Sequence, residues 1–373
     1  MDCEGRCQLR RGIASVRFQD IPSLVATLVA LFWIASVVVT VLPTAAAHAG
    51  PAVPSAHQAA IENAKRAREL NRPFTIAVLP DTQGYTALGQ PGFAKQIEWL
   101  LANAADRNIV FVTHLGDVVD TGTDDAQWAN ARDALNPLLA QNRLPFSIIR
   151  GNHDDPGYFL KNLPLSLMRS KPWFVAASPS GLSQAQMFKV QQAWFLHIGF
   201  ENNPTAAELQ WANELLKRPS LEGMPVIVSA HDYMDGDGRD SAGSRIWDAF
   251  VEDNPMVFMV LCGHVAEEHA FVEHDAANRP VYEMLSDYQH RDFGGNGLMR
   301  LITVDPVNDT IEVKTFSPYY QYKNGARPNT NYYETDADSQ FQYPAASGFW
   351  VDIRERLAFD TSFDFWGIPV YWW

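Results

Sequence analysis

The chain has 373 residues, 47% of them hydrophobic and 19% charged, a composition that excludes a disordered polymer and suits one or two domains with a sizeable core. Its formal net charge is −14, which argues against general nucleic-acid binding, because phosphate backbones are neutralised by clustered Lys and Arg. A phosphate ligand is not excluded, since bound metal cations reverse the field inside a pocket whatever the net charge.

The first segment does not read as part of a fold. Arg6, Arg10, Arg11 and Arg17 lead into an uncharged, mostly apolar run from Ile21 to Pro43, followed by Ala47-His48-Ala49. A basic head, an apolar run and a small-x-small site describe a cleaved signal peptide over residues 1–49. The rival is an uncleaved anchor, because residues 21–43 are long enough to span a bilayer and would attach the protein to a membrane. Either way the remainder is expected to be secreted or otherwise extracytoplasmic. Cys3 and Cys7 lie in this leader, so only Cys262 would survive cleavage. It ends an apolar run and reads as a small buried hydrophobe.

Residues 50–73 read as a linker with a short helix, and the ordered region is expected to begin at Phe74. From there strand and helix patterns alternate. Phe74–Leu79, Ile109–Thr113 and Phe146–Ile149 are short apolar runs of strand type. Between them, residues 92–105 and 125–142 place apolar residues on one helical face. This β-α-β-α-β order implies parallel strands with right-handed crossovers. Thr205-Ala206-Ala207-Glu208 is a capping box that opens another helix. Further strands are expected at 226–230, 257–262, 281–285, 298–304 and 310–316. The last three have no helix between them and read as antiparallel. The whole reads as an α/β sandwich with outer helices over residues 74–318, with an aromatic-rich extension, 319–373, packing on it.

The chemically capable residues fall just after strand ends. Asp81 and Gln83 follow the first strand, Asp117 the second, and Asn152, His153 and Asp154 the third. Each interval is about one βαβ unit, so the three loops emerge at one carboxyl edge, where ligand sites of open α/β sheets lie. His231 follows the strand at 226–230, and Gly263-His264 follows that at 257–262. Carboxylate and amide oxygens with imidazole nitrogens suit Mn, Fe, Zn or Mg rather than soft metals. A central carboxylate can bridge two such ions about 3.5–4 Å apart.

Taken together, Asp81-Thr82-Gln83, Gly116-Asp117, Gly151-Asn152-His153-Asp154, His231 and Gly263-His264 resemble the calcineurin-like metallophosphoesterase family, in its Asp-x-Gln variant, over about residues 74–318. The resemblance implies a four-layer α-β-β-α sandwich of mixed sheets and hydrolysis of a phosphate mono- or diester by hydroxide activated between two divalent cations. It implies that Asp117 bridges both metals, that Asn152, His231 and His264 complete one position, and that Asp81 belongs to the other, with Gln83 able to offer an amide oxygen. His153 would be the catalytic imidazole, Asp154 would orient it, and Asp120 would stand behind them.

Two departures weaken the Asp81-side position. Gln83 stands where the family pattern has His, and Gly263-His264-Val265-Ala266 lacks the second His. His269 is a substitute of unsuitable offset, with strand placement as the alternative. Asp287-Tyr288-Gln289-His290 either reaches the same rim or forms a polar turn before Gly294–Gly297. His114 reads as a near-core histidine, and Tyr85 as a pocket or packing aromatic. Arg150 reads as a phosphate contact or a structural salt bridge. The competing function is a degenerate, non-catalytic metal- or phosphate-binding module of the same fold.

Overall fold

The computed structural model describes residues 56–327 and 331–343. The expected leader or anchor over 1–49, with Cys3, Cys7 and the run 21–43, lies outside the described residues, as does the tail 344–373. Among the described residues no helix is long and apolar enough to cross a membrane.

Helix α1 (Ala56–Arg68) occupies the stretch expected to be a linker with a short helix. It is docked: Asn63 exchanges two hydrogen bonds with the Trp194 backbone, at 3.1 and 2.6 Å, and Ala67 and Leu70 are buried in the inter-sheet core. Packing therefore starts before Phe74. Strand β1 (Phe74–Leu79) leads through α2 (Gln83–Leu88) and α3 (Gly92–Asn103) to β2 (Ile109–His114), and α4 (Asp125–Ala140) leads to β3 (Phe146–Ile148). The Asp124 side chain accepts N–H bonds from Ala126 and Gln127, which sets the start of α4. Both strand pairs are parallel, with Leu79 opposite His114 and His114 opposite Ile148.

Next come β4 (Phe174–Ala177), β5 (Gln184–Val190) and β6 (Ala193–Gly199), none of which the sequence pattern disclosed. The capping box at Thr205 and Glu208 opens the helix Ala206–Leu216 as expected. Then follow β7 (Val226–Ser229), a small hairpin of β8 (Met234–Asp235) and β9 (Gly238–Arg239), β10 (Val257–Cys262), β11 (Glu268–His274) and β12 (Pro280–Ser286). The described chain ends with β13 (Met299–Asp305), β14 (Thr310–Ser317), β15 (Tyr332–Tyr333) and β16 (Gln340–Tyr343).

These strands build two mixed sheets. One runs β15-β14-β13-β1-β2-β3, with β16 also on β14; the other runs β11-β12-β10-β7-β6-β5-β4. The expected antiparallel trio is corrected here. β13 and β14 do pair antiparallel, but β12 belongs to the second sheet, parallel to β10. The segment from Asp287 to Leu298 carries the chain across from one sheet to the other.

Alternation along the strands explains the layering. Ile76 and Val78 join Phe111, Phe195, Met259 and Leu261 between the sheets. Their neighbours Ala77 and Leu79 face outward onto Phe93, Ile97, Trp128 and Leu135 of α3 and α4. On the far side, Val226, Val228, Val260 and Cys262 pack on Leu209, Ala212 and Phe250. Each fully buried Val, Leu, Ile or Phe contributes about 1.5–3 kcal/mol, so three contiguous cores fix the α-β-β-α order. The tips of β1, β2, β3, β7, β10 and β12 then meet at one edge.

Candidate metal centre

The structure brings Asp117, Asn152, His231 and His264 into one cluster. Asn152 Oδ1 lies 2.7 Å from His231 Nε2 and 2.9 Å from His264 Nδ1. Asp117 Oδ1 lies 3.3 Å from His231 Nε2, and one ligand atom each from Asp117, His231 and His264 fall within 4.8 Å of one another. Donors sharing one ion at about 2.1 Å are themselves about 3 Å apart, so the spacing suits a common cation.

Local backbone geometry makes the cluster possible. Asp117 (φ 49°) and His264 (φ 73°) both adopt the left-handed region, a strained state for non-glycine residues that collects at functional sites. Gly151 and Gly263 allow the loops to close in: a Cβ on Gly151 would stand 2.0 Å from Asp117 Oδ1, and one on Gly263 2.2 Å from Asp81 Oδ1.

Hydrogen bonds orient each ring. His231 Nδ1 lies 2.9 Å from Leu115 O. A carbonyl can only accept, so Nδ1 bears a proton, and Nε2 is the atom turned toward Asn152 and Asp117. Burial would raise the Asp117 carboxyl, but the hydrogen bond and charge of His231, with the His153 N–H, outweigh it and hold Asp117 below the usual range. Burial and the His231 charge lower His264, which keeps that ring neutral.

Asp154 was expected to orient His153; its side-chain hydrogen bonds go to backbone amides. Its buried carboxylate accepts the backbone N–H groups of Val118 (3.2 Å), Val119 (3.1 Å) and Gly151 (2.9 Å), so it clamps the Asp117 loop to the Asn152 loop. The His153 ring is held instead by Asp120, whose carbonyl lies 2.7 Å from Nδ1. Both Asn152 and His153 are exposed at the mouth of the site.

The Asp81 side holds oxygens rather than imidazoles. Asp81 Oδ2 accepts the His264 N–H at 3.1 Å. Asp81 Oδ1, Gln83 Oε1 and Asp287 Oδ2 are all buried with no hydrogen-bond partner among the described residues. Burial, then the charges of Asp287 and Asp117, push the Asp81 carboxyl well above its ordinary range. Burial likewise pushes Asp287 up to about 6. Among the described residues no Lys or Arg pairs with Asp81, Asp117 or Asp287. Buried carboxylates without a compensating cation are costly, and orphaned oxygens beside a His-rich cluster are the donor set a second divalent ion needs. The residues fit two divalent cations.

Other expectations resolve plainly. His269 sits on β11 opposite Leu285 and reaches Glu267 at 3.4 Å, away from the cluster. His114 is buried, bonded to Thr82 Oγ1 at 2.9 Å, and held neutral by burial with a pKa near 3. Tyr85 is packed, its hydroxyl accepting the Gly297 N–H. Arg150 pairs with Glu201 at 2.9 Å and donates to Gly151 and Asp154 carbonyls. Cys262 is buried, and burial raises its thiol well above the usual range, so it offers no thiolate. Beneath the site, Thr113, His197, Ser229 and Gln186 form a buried polar chain, with Thr113 and Ser229 joined across the sheets at 2.9 Å. Its signal was available only as Gln and His inside strands, which disguised β5 and β6.

The model for calcineurin-like phosphoesterases matches residues 74–268, more than half of the chain. The chain is 30% identical over 276 residues to the uncharacterised protein YvnB of Bacillus subtilis, covering 70% of this chain and 21% of that one; it thus spans about a fifth of that relative's length. Similar solved structures include a dimetal phosphatase from Danio rerio (12% identity, 66% of this chain and 96% of that one, TM-score 0.46). A purple acid phosphatase from yellow lupin seeds is also similar (12% identity, 72% and 56%, TM-score 0.42). With the matched model spanning the loops of Asp81, Asp117, Asn152, His231 and His264, the chain belongs to the calcineurin-like phosphoesterase family.

Proposed function

We propose that the protein is an exported hydrolase that cleaves a phosphate mono- or diester at this rim. The observation that carries the reading is Asn152 Oδ1 within 3 Å of both His231 and His264, beside the Asp117 carboxylate. Asp117, Asn152, His231 and His264 would hold one divalent cation, and Asp81 and Gln83, beside Asp117, would hold the other. Support for export comes from the basic and apolar leader ending at Ala47-His48-Ala49.

When bound, divalent cations supply charge neutralisation for the phosphoryl oxygens and acidify a water. The chain's own part is positional and protonic. Asp154 fixes the relative placement of Asp117 and Asn152 by its three backbone bonds. The Nδ1–H of His153 donates to the Asp120 carbonyl, leaving Nε2 as the ring atom that passes a proton to the departing oxygen. Exposed Asn152 and His153 set the reacting group at the surface, where a bulky ester can approach.

The test uses the full chain loaded with Mn and a panel of phosphate mono- and diesters. Hydrolysis that disappears together with bound metal in Asp117→Asn supports the reading. Tight metal binding with no turnover on any ester would favour the binding module instead.

A further inference from the structure

We propose that Asp287 is a ligand of the Asp81-side cation, standing in for the imidazoles missing at Gln83 and Ala266 and making that position all-oxygen. The proposal rests on the two-cation reading of the site.

Strand geometry places Asp287 there. β12 runs parallel to β10 with Leu285 opposite Cys262. Beyond this pair, the loops carrying His264 and Asp287 leave neighbouring strand tips. The loop is tied to its neighbours at both ends. The Asp287 N–H donates to Glu267 O at 3.0 Å, and Gln289 Nε2 donates to His264 O at 3.2 Å. Tyr288 anchors the turn from below, its hydroxyl donating to Glu268 Oε1 at 2.6 Å. Glu268 is itself held by Arg300 at 2.7 Å in a buried pair that joins the two sheets. A merely solvated polar turn has no need of such fixation.

Asp81 and Asp287 are arranged alike. Each carboxylate spends one oxygen on a backbone N–H: Asp81 Oδ2 on His264, and Asp287 Oδ1 on Gln289 at 2.8 Å. Each leaves the other oxygen buried and unpartnered, together with Gln83 Oε1. Asp81 is 1% exposed and Asp287 2%. Both carboxylates adjoin the His264 loop: Asp81 Oδ2 accepts the His264 N–H at 3.1 Å, and Gln289, two residues after Asp287, donates to the His264 carbonyl at 3.2 Å. Two half-satisfied buried carboxylates and a buried, unpartnered amide oxygen would be a defect without a cation; around a hard divalent ion they would be a ligand shell. The two positions then differ in hardness: imidazole-bearing at His231 and His264, oxygen-only at Asp81 and Asp287.

The experiment is equilibrium dialysis of the full chain against Mn(II), with metal content by elemental analysis, and melting curves with and without Mn(II). Asp287→Asn is the variant, because the amide oxygen can still accept the Gln289 N–H. The wild type should bind two Mn(II), and the variant should bind one with unchanged affinity and the second at least tenfold more weakly. Metal-free Asp287→Asn should melt no lower than the wild type, while its gain in melting temperature on adding Mn(II) should be smaller. Two Mn(II) of unaltered affinity in the variant overturns the assignment of Asp287 and leaves the two-cation reading standing. A metal-free variant that melts well below the wild type marks a structural carboxylate and also overturns it. A wild type that binds only one Mn(II) sinks the two-cation reading itself.

Discussion

His231 Nδ1 lies 2.9 Å from the carbonyl oxygen of Leu115, so an imidazole at the tip of one sheet is oriented by the backbone of the other. The site is therefore a product of sheet stacking, not of either sheet alone. Removing the ring by His231→Ala should cut metal affinity by roughly 100-fold or more, read as loss of bound metal after dialysis. Unchanged metal content would remove His231 from the centre.

Close approach at Gly151 makes a second prediction. Its missing Cβ would stand 2.0 Å from Asp117 Oδ1 and 2.2 Å from Asp117 N. Gly151→Ala should destabilise the protein by about 1–3 kcal/mol through overpacking and displace Asp117, lowering metal content as well. Gly157→Ala is the control, since its added Cβ meets only Asp155 Oδ1 at 3.3 Å. Urea denaturation of the two variants checks the contrast.

The Asp154 clamp predicts a pH dependence. Burial, then the Asp117 charge, raises Asp154 to about 6, above its ordinary 3.8. The folded state thus holds more protons than the unfolded state between about pH 4 and 6, and stability falls as pH rises through that window. Asp154→Asn should flatten this part of the metal-free stability profile. It should also cost about 1–3 kcal/mol, because an amide NH2 would face backbone N–H donors. Melting curves of metal-free protein from pH 4 to 7 measure both effects.

His153 and Asp120 separate chemistry from support. His153→Ala should keep bound metal and lose about 10²–10⁴-fold in turnover. The contact that orients His153 is the Asp120 carbonyl at 2.7 Å, with the Asp120 carboxylate farther off at 3.7 Å. Asp120→Ala retains that carbonyl and should cost less than about tenfold. A His153→Ala enzyme as fast as the parent would contradict the assignment.

Much of the site was legible because its residues follow apolar runs: Asp81 after Phe74–Leu79, Asp117 after Ile109–His114, His264 after Val257–Cys262. A strand's end and its first polar residue share one sequence signal. Roles beyond the strand tips were not legible. Asp154 lies next to His153 in sequence, yet its side chain serves three backbone amides, a fact of loop folding rather than order. Strands β5 and β6 were hidden because Gln186 and His197 face each other inside the core and bond to one another. The place of β12 was misread because pairing with β10 spans the intervening β11, and short-range pattern favours neighbours.

The most direct measurement is anomalous X-ray scattering from crystals of the full chain grown with Mn(II). The account predicts two peaks about 3.5–4 Å apart, with Asp117 between them, one beside His231 and His264 and the other beside Asp81. A single peak, or peaks away from these side chains, would contradict it.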